Sequence, residues 1–480
     1  LQLIDFLKLE NLPIDGITSD SRQARKGFLF AALPGNKTNG SEFIVDAIQH
    51  GADYILADKG YVLPHESEGR VTLISSDNTR QDFAKIAAKF YKLQPENIVA
   101  ITGTSGKTST ASFVQQLWHL SGLENCASLG TLGIRGPKMR VAGKLTTPDT
   151  QSLHAALADL SAAGIDYLAM EASSHGLDQY RLDGVTVQAA AYTNLSRDHL
   201  DYHSDMDEYF EAKARLFSEA MQKHGRAILN ADDEYFSKLE KICLDAGHEV
   251  FSFGYKGENI KILKRQAKPN GQEISFDLNG RKYEVMLPLV GDFQVMNALC
   301  AMALVMPYFD NGDKVIENLS KLRGVPGRLQ LIEGHPKGAV YVDYAHKPAA
   351  LETILTTLKE HTKNNLVCVF GCGGNRDKGK RALMGEIAER LSDKVIVTDD
   401  NPRYEEASKI RKEILSSAPN ATEIAERKEA IRKSVLDLND GDVLVIAGKG
   451  HEEGQIIGDE IHPFNDADVV RDIIQEMSQS

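Results

Sequence analysis

The sequence predicts an α/β protein of three domains. Its 480 residues allow about three domains at ~150 residues each. Short β-branched runs alternate with amphipathic stretches along the whole chain, the pattern of stacked strands and helices. No fixed-period repeat or low-complexity tract interrupts this, so a solenoid is not expected. In a first segment, taken as 1–92, Gly27–Ala31 and Val71–Ser75 read as strands and Thr79–Tyr91 as a helix. Gln94-Pro95 then makes a linker. A second segment, 93–325, opens on the apolar run Ile98–Ile101. Its further strands are Tyr167–Met170, Val185–Tyr192 and Ala227–Leu229, and it closes at the turn Gly324-Val-Pro-Gly-Arg328. The third, 326–480, repeats strand then helix at Ala339–Val342, Leu366–Phe370, Lys394–Val397 and Val443–Ile446. That is a doubly wound, Rossmann-like arrangement, with function expected at the carboxyl ends of its strands.

Composition narrows the classes. Hydrophobic residues at 42% and charged ones at 26% are ordinary for a globular protein and exclude a largely disordered chain. The net charge of −13 would repel nucleic acid and anionic membranes, so neither is expected as a partner. The cysteines at 126, 243, 300, 368 and 372 are too scattered for a disulfide framework. Cys368 and Cys372 lack C-x-x-C spacing, so a reducing cytoplasm is expected. The start Leu1–Asp5 meets a charge at once and has no signal-peptide core. Phe293–Phe309 is uncharged but shorter than the ~20 residues of a membrane span, and reads as a buried helix.

The strongest local signal is Ile101-Thr-Gly-Thr-Ser-Gly-Lys-Thr-Ser109. It follows a β-branched run and precedes Phe113, Val114, Leu117 and Trp118 on one helical face. Strand, glycine loop and helix together make a phosphate loop. Gly103 and Gly106 let backbone amides close on phosphate oxygens, Lys107 adds a point charge, and Thr108 is placed to reach Mg²⁺. The spacing departs from G-x-x-x-x-G-K-[ST], because Ile101 stands five before Gly106. Glu171 ends an apolar strand, a natural place for a carboxylate that holds Mg²⁺. Thr193–His203 is dense in polar groups, although such a loop is more often plain surface. Gly371-Cys-Gly-Gly374 lacks G-x-G-x-x-G and reads as a tight strand-to-helix turn. Taken alone, Asn375–Arg381 is a solvated charged loop, and Tyr404-Glu-Glu406 is the acidic first turn of a helix.

Taken together, the chain resembles the Mur ligases, ATP-dependent enzymes that add amino acids to the peptidoglycan precursor. Gly103–Thr108 is similar to that family's shortened phosphate loop. Glu171-Ala-Ser-Ser-His-Gly-Leu177, Asn194–His199 and Asp343-Tyr-Ala-His346 match other family signatures. Thr146-Thr-Pro148, Ser173–Leu177, Asp400-Asn-Pro-Arg403 and Gly448-Lys-Gly-His-Glu452 occur together and in order. That combination resembles the members adding meso-diaminopimelate to UDP-N-acetylmuramoyl-L-alanyl-D-glutamate. Gln294 departs from the family, which often has Asn there.

The resemblance implies a division of labour. The first domain would bind the uridine nucleotide, with Ser21 at its uridine end. The second would be the P-loop ATPase-like domain, and the third would receive the amino acid. Gly103, Thr104, Ser105, Gly106, Lys107, Thr108 and Ser109, with Asn297, Arg328 and Asp343, would bind ATP. Thr146, Thr147, Ser173, Gln179 and Arg181 would contact the muramyl peptide. Thr108, Glu171 and His199 would hold Mg²⁺, together with Lys213 carbamylated to N6-carboxylysine. Lys107, Lys213, His199 and Glu171 would be the catalytic set. Arg376, Asp400, Asn401, Pro402, Arg403, Gly448 and Glu452 would receive the diamino acid, with Arg403 forking onto its far carboxylate.

The implied reaction phosphorylates a carboxylate with ATP, and an amine then attacks the acyl phosphate. It needs no protein nucleophile. Ser173, Ser174 and His175 are therefore not read as a hydrolase site, and no G-x-S-x-G surrounds them. A cytoplasmic monomer is expected. A folylpolyglutamate synthase-like ligase and a nucleotide-dependent switch without ligase chemistry are the alternatives.

Overall fold

Crossover helices between β-branched runs force neighbouring strands to run parallel, and parallel pairing dominates here. The computed structural model describes residues 3–4, 13–35, 38–143, 145–200, 202–268 and 270–479. Apart from the short strand Leu3–Ile4, the Leu1–Asp5 start lies outside them. The chain forms two compact units, Leu1–Glu258 with Cys300–Asp310, and Asn259–Leu299 with Asn311–Ser480. The α/β class holds throughout, with a mainly parallel sheet in each of the three segments.

In the first unit, a five-stranded parallel sheet runs in the order Leu3–Ile4, Thr72–Ser76, Tyr54–Asp58, Phe28–Ala31 and Gly16–Thr18. The helix Thr79–Tyr91 covers one face, burying Phe83, Ile86 and Ala87 against Leu29, Leu56 and Ile74. Asn78 accepts from the Gln81 amide to cap its start, and Lys92 at φ +62° ends it.

A second sheet in the same unit sets Asn97–Thr102 between Tyr167–Glu171 and Val187–Tyr192, all parallel. Met221–Asn230 and Glu249–Gly254 extend one side, and Cys126–Gly130 the other. Register places Glu171 beside Ile101 and Tyr192 beside Thr102. Three loops therefore leave the carboxyl edge side by side. The expected face Phe113, Val114, Leu117 and Trp118 is wholly buried.

The second unit has a sheet ordered Gln330–Ile332, Ala339–Asp343, Val443–Ala447, Leu366–Phe370, Lys394–Val397 and Thr422–Glu423. Only the first pair is antiparallel. Loops 371–378, 398–406 and 448–453 leave its carboxyl edge. The uncharged run forms the helix Asp292–Val305, followed by a 3-10 turn, Met306–Tyr308.

Three local expectations need correction. Gly371–Gly374 is no tight turn, because the helix begins only at Gly379. Its glycines answer to a neighbouring loop: a Cβ on Gly374 would sit 1.9 Å from the Pro402 carbonyl oxygen, and one on Gly371 2.2 Å from that of Thr398. The Asn375–Arg381 stretch is solvated only in part, since Arg381 is buried between Glu405 and Glu413. Finally, Tyr404–Glu406 precedes the helix Ala407–Leu415 rather than forming its first turn.

Candidate active site

The strand Asn97–Thr102 delivers the glycine loop to the sheet's carboxyl edge. Gly103 has φ +143°, and a Cβ there would lie 1.9 Å from Thr193 Oγ1. Gly106, at φ +89°, precedes the helix Lys107–Ser121 and offers no side-chain cap. The helix therefore starts with first-turn amides that no N-cap side chain covers and with its positive dipole end, suited to an anion. The neighbouring strand end fastens the loop: the Thr104 amide donates to Asn194 O, and the Ser105 amide to Asn194 Oδ1. Lys107 Nζ donates to Gly103 O (2.6 Å) and Thr104 O (2.9 Å). Ser109 is buried one turn into the helix.

Glu171 is 2% exposed and ends the adjacent strand. Its carboxylate accepts from Thr108 Oγ1 (2.9 Å), the Thr131 amide (2.8 Å) and Thr131 Oγ1 (3.2 Å). Burial pushes its pKa up, while the Lys107 charge and these donors oppose that. Thr108 and Glu171 form an adjacent pair of hard oxygen donors, a set that fits Mg²⁺ alongside phosphate and water. Among the described residues, no three His, Cys, Asp or Glu side chains converge as a metal group. The expected quartet is therefore joined only in part. Thr108 meets Glu171, while Lys213 meets Gly103.

Lys213, on the helix Met206–Arg215, is 1% exposed and donates to Gly103 O at 2.8 Å. Two lysines thus converge on one carbonyl of the glycine loop. Burial, reinforced by Lys107, pushes the Lys213 pKa well below the ordinary lysine value. Its amine lies 4.4 Å from the centre of the Tyr209 ring, whose hydroxyl is 3.1 Å from Thr104 Oγ1. His199 packs 6.1 Å from the same ring and 5.0 Å from His175, with Nε2 3.7 Å from Asp198 Oδ2. Asp201, in the same loop, lies outside the described residues.

The five residues expected at the muramyl peptide form one network beside Glu171. Thr146 Oγ1 is 3.0 Å from Thr131 Oγ1, and Thr147 Oγ1 donates to Glu171 O. The Ser173 amide donates to Thr147 Oγ1. Arg181 donates to Thr147 O and Gln179 Oε1, both at 2.7 Å. Ser173 Oγ caps the short helix Ser174–Asp178, consistent with its dismissal as a nucleophile. Ser21 lies between two strands of the other sheet of this unit, buried at the head of the 3-10 turn Ser21–Gln23 capped by Asp20.

In the second unit, Asp343 is buried where its strand ends. Oδ2 accepts from the Leu329 amide and Oδ1 from the Ala345 amide, and burial raises its pKa against them. Arg328 lies 5.3 Å from the Tyr344 ring centre. Asn297 Nδ2 donates to Gln294 Oε1, so the unusual Gln294 is buried as Asn297's partner.

The edge of the same sheet carries the expected amino-acid receptor. Arg403, at φ +52°, donates from Nη1 to Gly374 O (2.9 Å) and to no carboxylate among the described residues. The nearby Glu405 pairs with Arg381. Asn401 Nδ2 donates to Glu452 Oε2 (2.9 Å), and the Asn401 amide to Asp400 Oδ1. Gly448 has φ +117°, and a Cβ there would crowd Asp400 Oδ2 at 2.8 Å. Pro402 is buried and Arg376 exposed.

Sequence reasoning missed Thr131, Tyr209, Lys449 and the buried pair Arg427–Asp466. Lys449 alone carried a signal, since it sits inside Gly448–Glu452. Thr131 reaches Glu171 across 40 residues, Arg427 reaches Asp466 across 39, and the Tyr209 hydroxyl reaches Thr104 across 105.

Three family descriptions match the chain: Mur ligase family, catalytic domain, over 13–91; Mur ligase middle domain over 101–305; and Mur ligase, glutamate ligase domain, over 327–450. The UDP-N-acetylmuramoyl-L-alanyl-D-glutamate–2,6-diaminopimelate ligase of Brucella melitensis biotype 1 is 48% identical over 94% of this chain and 92% of its own. The enzyme of the same name from Agrobacterium fabrum is 46% identical over 98% and 95%. A solved structure of an enzyme of that name superposes with a TM-score of 0.75 at 31% identity, covering 100% of both chains.

Proposed function

Because the chain belongs to the Mur ligase family, we propose that it uses ATP to join meso-diaminopimelate to UDP-N-acetylmuramoyl-L-alanyl-D-glutamate. The reaction serves cytoplasmic synthesis of the peptidoglycan precursor. No helix among the described residues is long and apolar enough to cross a membrane. The proposed domains are 1–92 for the uridine nucleotide, 93–325 for ATP and 326–480 for the amino acid, in a monomer.

The observation that carries the amino-acid assignment is Arg403. Its guanidinium is held by backbone carbonyls and lacks a carboxylate among the described residues, as a receptor for a planar anion requires. Meso-diaminopimelate brings that anion at its far end, and lysine does not.

In the first step the dipeptide's terminal carboxylate attacks the γ-phosphorus, the bond to ADP breaks, and an acyl phosphate forms. The diamino acid's amine then attacks the carbonyl carbon, loses a proton, and the tetrahedral intermediate expels phosphate. The chain positions these groups and neutralises phosphoryl charge through Lys107 and the amides of Gly103–Ser109. Asn297, Arg328 and Asp343 serve the nucleotide, and Ser21 the uridine. Thr146, Thr147, Ser173, Gln179 and Arg181 serve the muramyl peptide. Arg376, Asp400, Asn401, Pro402, Arg403, Gly448 and Glu452 serve the diamino acid.

Thr108 and Glu171 would hold Mg²⁺, with His199 and carbamylated Lys213 completing the assignment. Bound there, the ion would neutralise phosphoryl oxygens. A depressed lysine pKa supports the modification, because only the neutral amine adds CO₂. The nitrogen forms the N–C bond and releases a proton.

Mass spectrometry of products from the UDP-muramyl dipeptide, ATP and either diaminopimelate or lysine tests the whole reading. A tripeptide product with diaminopimelate supports it. ATP turnover without either substrate and without amide product supports the switch instead.

A further inference from the structure

We infer that Lys449, with the hairpin it anchors, is a positioning unit for the incoming diamino acid, setting Asn401 and Glu452 in their receiving geometry. The inference rests on the proposed reading of 400–403 and 448–452 as the amino-acid receptor. A lysine ordinarily keeps its ammonium in water. Lys449 is 0% exposed. An ammonium has three protons to give, and three acceptors surround this one: Asn401 Oδ1 at 3.0 Å, Glu452 Oε2 at 3.0 Å and Gly454 O at 2.6 Å. None is left for a substrate. Lys449 can act only through its partners.

Each partner is oriented as a result. Asn401 Oδ1 accepts from both Lys449 and the Ile456 amide (2.9 Å), so its amide nitrogen must face Glu452 Oε2. Glu452 is held through Oε2 by two donors, while Oε1 has no partner among the described residues. A carboxylate clamped by one oxygen keeps the other for an incoming ammonium.

The third acceptor, Gly454, opens the hairpin Gly454–Ile457 and Glu460–Pro463. That hairpin also holds the receptor loop. Gln455 Nε2 donates to Asp400 O (2.7 Å), Arg403 N to Ile456 O (3.1 Å), and Gly458 N to Arg403 O (2.8 Å). Arg403 needs such support, because the left-handed conformation is unfavourable for a residue with a Cβ. One buried cation thus links the side chains that meet the ammonium end to the loop carrying the guanidinium.

Steady-state kinetics of the full-length enzyme test this with Lys449→Met, Glu452→Gln and the double variant. Stranding a charged acceptor should raise the KM for meso-diaminopimelate roughly 10- to 100-fold in Lys449→Met. The KM values for ATP and the UDP substrate should stay within about twofold of the parent. Adding Lys449→Met to Glu452→Gln should cost less than it does in the parent, because the shared carboxylate is already gone. Equal rises in all three KM values, or effects that simply multiply, would overturn the inference. Should Lys449→Met not fold, Gln455→Ala at the half-buried rim decides: a KM rise confined to the diamino acid supports the positioning unit, and an unchanged KM refutes it. A parent enzyme that makes no product with diaminopimelate sinks the functional reading. An active parent whose variants keep its KM sinks this inference alone.

Discussion

Lys107 and Lys213 show how much one side chain can decide. Both donate to Gly103 O, yet they are suited to different work. On the proposed function, Lys107, at the helix start, supplies charge to phosphate. Lys107→Ala should cut turnover by roughly 10²- to 10³-fold, the scale of losing one preorganised charge donor. Its melting temperature should stay close to the parent's, and near-normal turnover at saturating ATP would remove the phosphate-loop assignment. Lys213 is forced toward neutrality by burial and by Lys107. Between its lowered folded pKa and the ordinary lysine value, the unfolded chain binds more protons, so unmodified enzyme gains stability as pH rises through that window. Lys213→Ala should lose activity by roughly 100-fold, with partial rescue by short carboxylates. An intact mass showing bare lysine in fully active enzyme would count against carbamylation. Arg403 should set the choice of amino acid. Arg403→Ala should erase the preference for meso-diaminopimelate over lysine, and Arg403→Lys should restore only part, since it keeps charge without the fork. Sites built around a polar group reject an analogue lacking it by ~10⁴-fold. Competition kinetics with both amino acids measure this, and efficient lysine addition by the parent enzyme would refute it.

Among elements, the helices Arg427–Leu436 and Asp466–Gln479 are joined by a pair whose side chains are both 0% exposed. Arg427 meets Asp466 with two 2.7 Å bonds and donates to Ala447 O, just before Gly448. Removing one partner leaves a buried charge, so Arg427→Met should destabilise by about 3–5 kcal/mol. Replacing both, as Arg427→Met with Asp466→Leu, should recover most of that loss in urea titrations. A double variant no more stable than the single would show that backbone support from Arg427 outweighs the pair. Strands such as Leu366–Phe370 and Lys394–Val397 were legible in the sequence to the residue, because a buried parallel strand is a bounded β-branched run. The loop 371–378 was not. Its glycines are explained by Pro402 and Thr398, which no local pattern around residue 371 contains.

Across the whole molecule, acid should act through buried histidines. His154 is pushed down to about 4 by burial, against an ordinary value of 6.5. Burial lowers His203, His335, His346 and His361 as well. As pH falls below 6.5 the unfolded chain takes up protons that the folded chain refuses. The His154 contribution is thus complete above about pH 6.5 and is lost as pH falls towards 4. It amounts to on the order of 3 kcal/mol. His154→Gln should flatten the fall in unfolding stability between these values, measured by urea unfolding at several pH values. An unchanged slope would show that His154 does not carry it.

By itself, the sequence determined the α/β class, the strand–glycine loop–helix at 97–121 and the order of motifs, because these depend on residues close together in the chain. Gly103–Thr108 is such a case, with strand, loop and helix all within one stretch. Tertiary structure alone decided which groups meet. It set Thr131 on Glu171, from a turn with no motif, and put the Lys213 amine on Gly103, 110 residues away. It also turned Lys449 from a lysine in a motif into the centre of three buried hydrogen bonds. The physical reason is burial. A side chain's charge, proton affinity and free acceptors depend on the water it has lost and the partners that replaced it, and only the folded chain sets both.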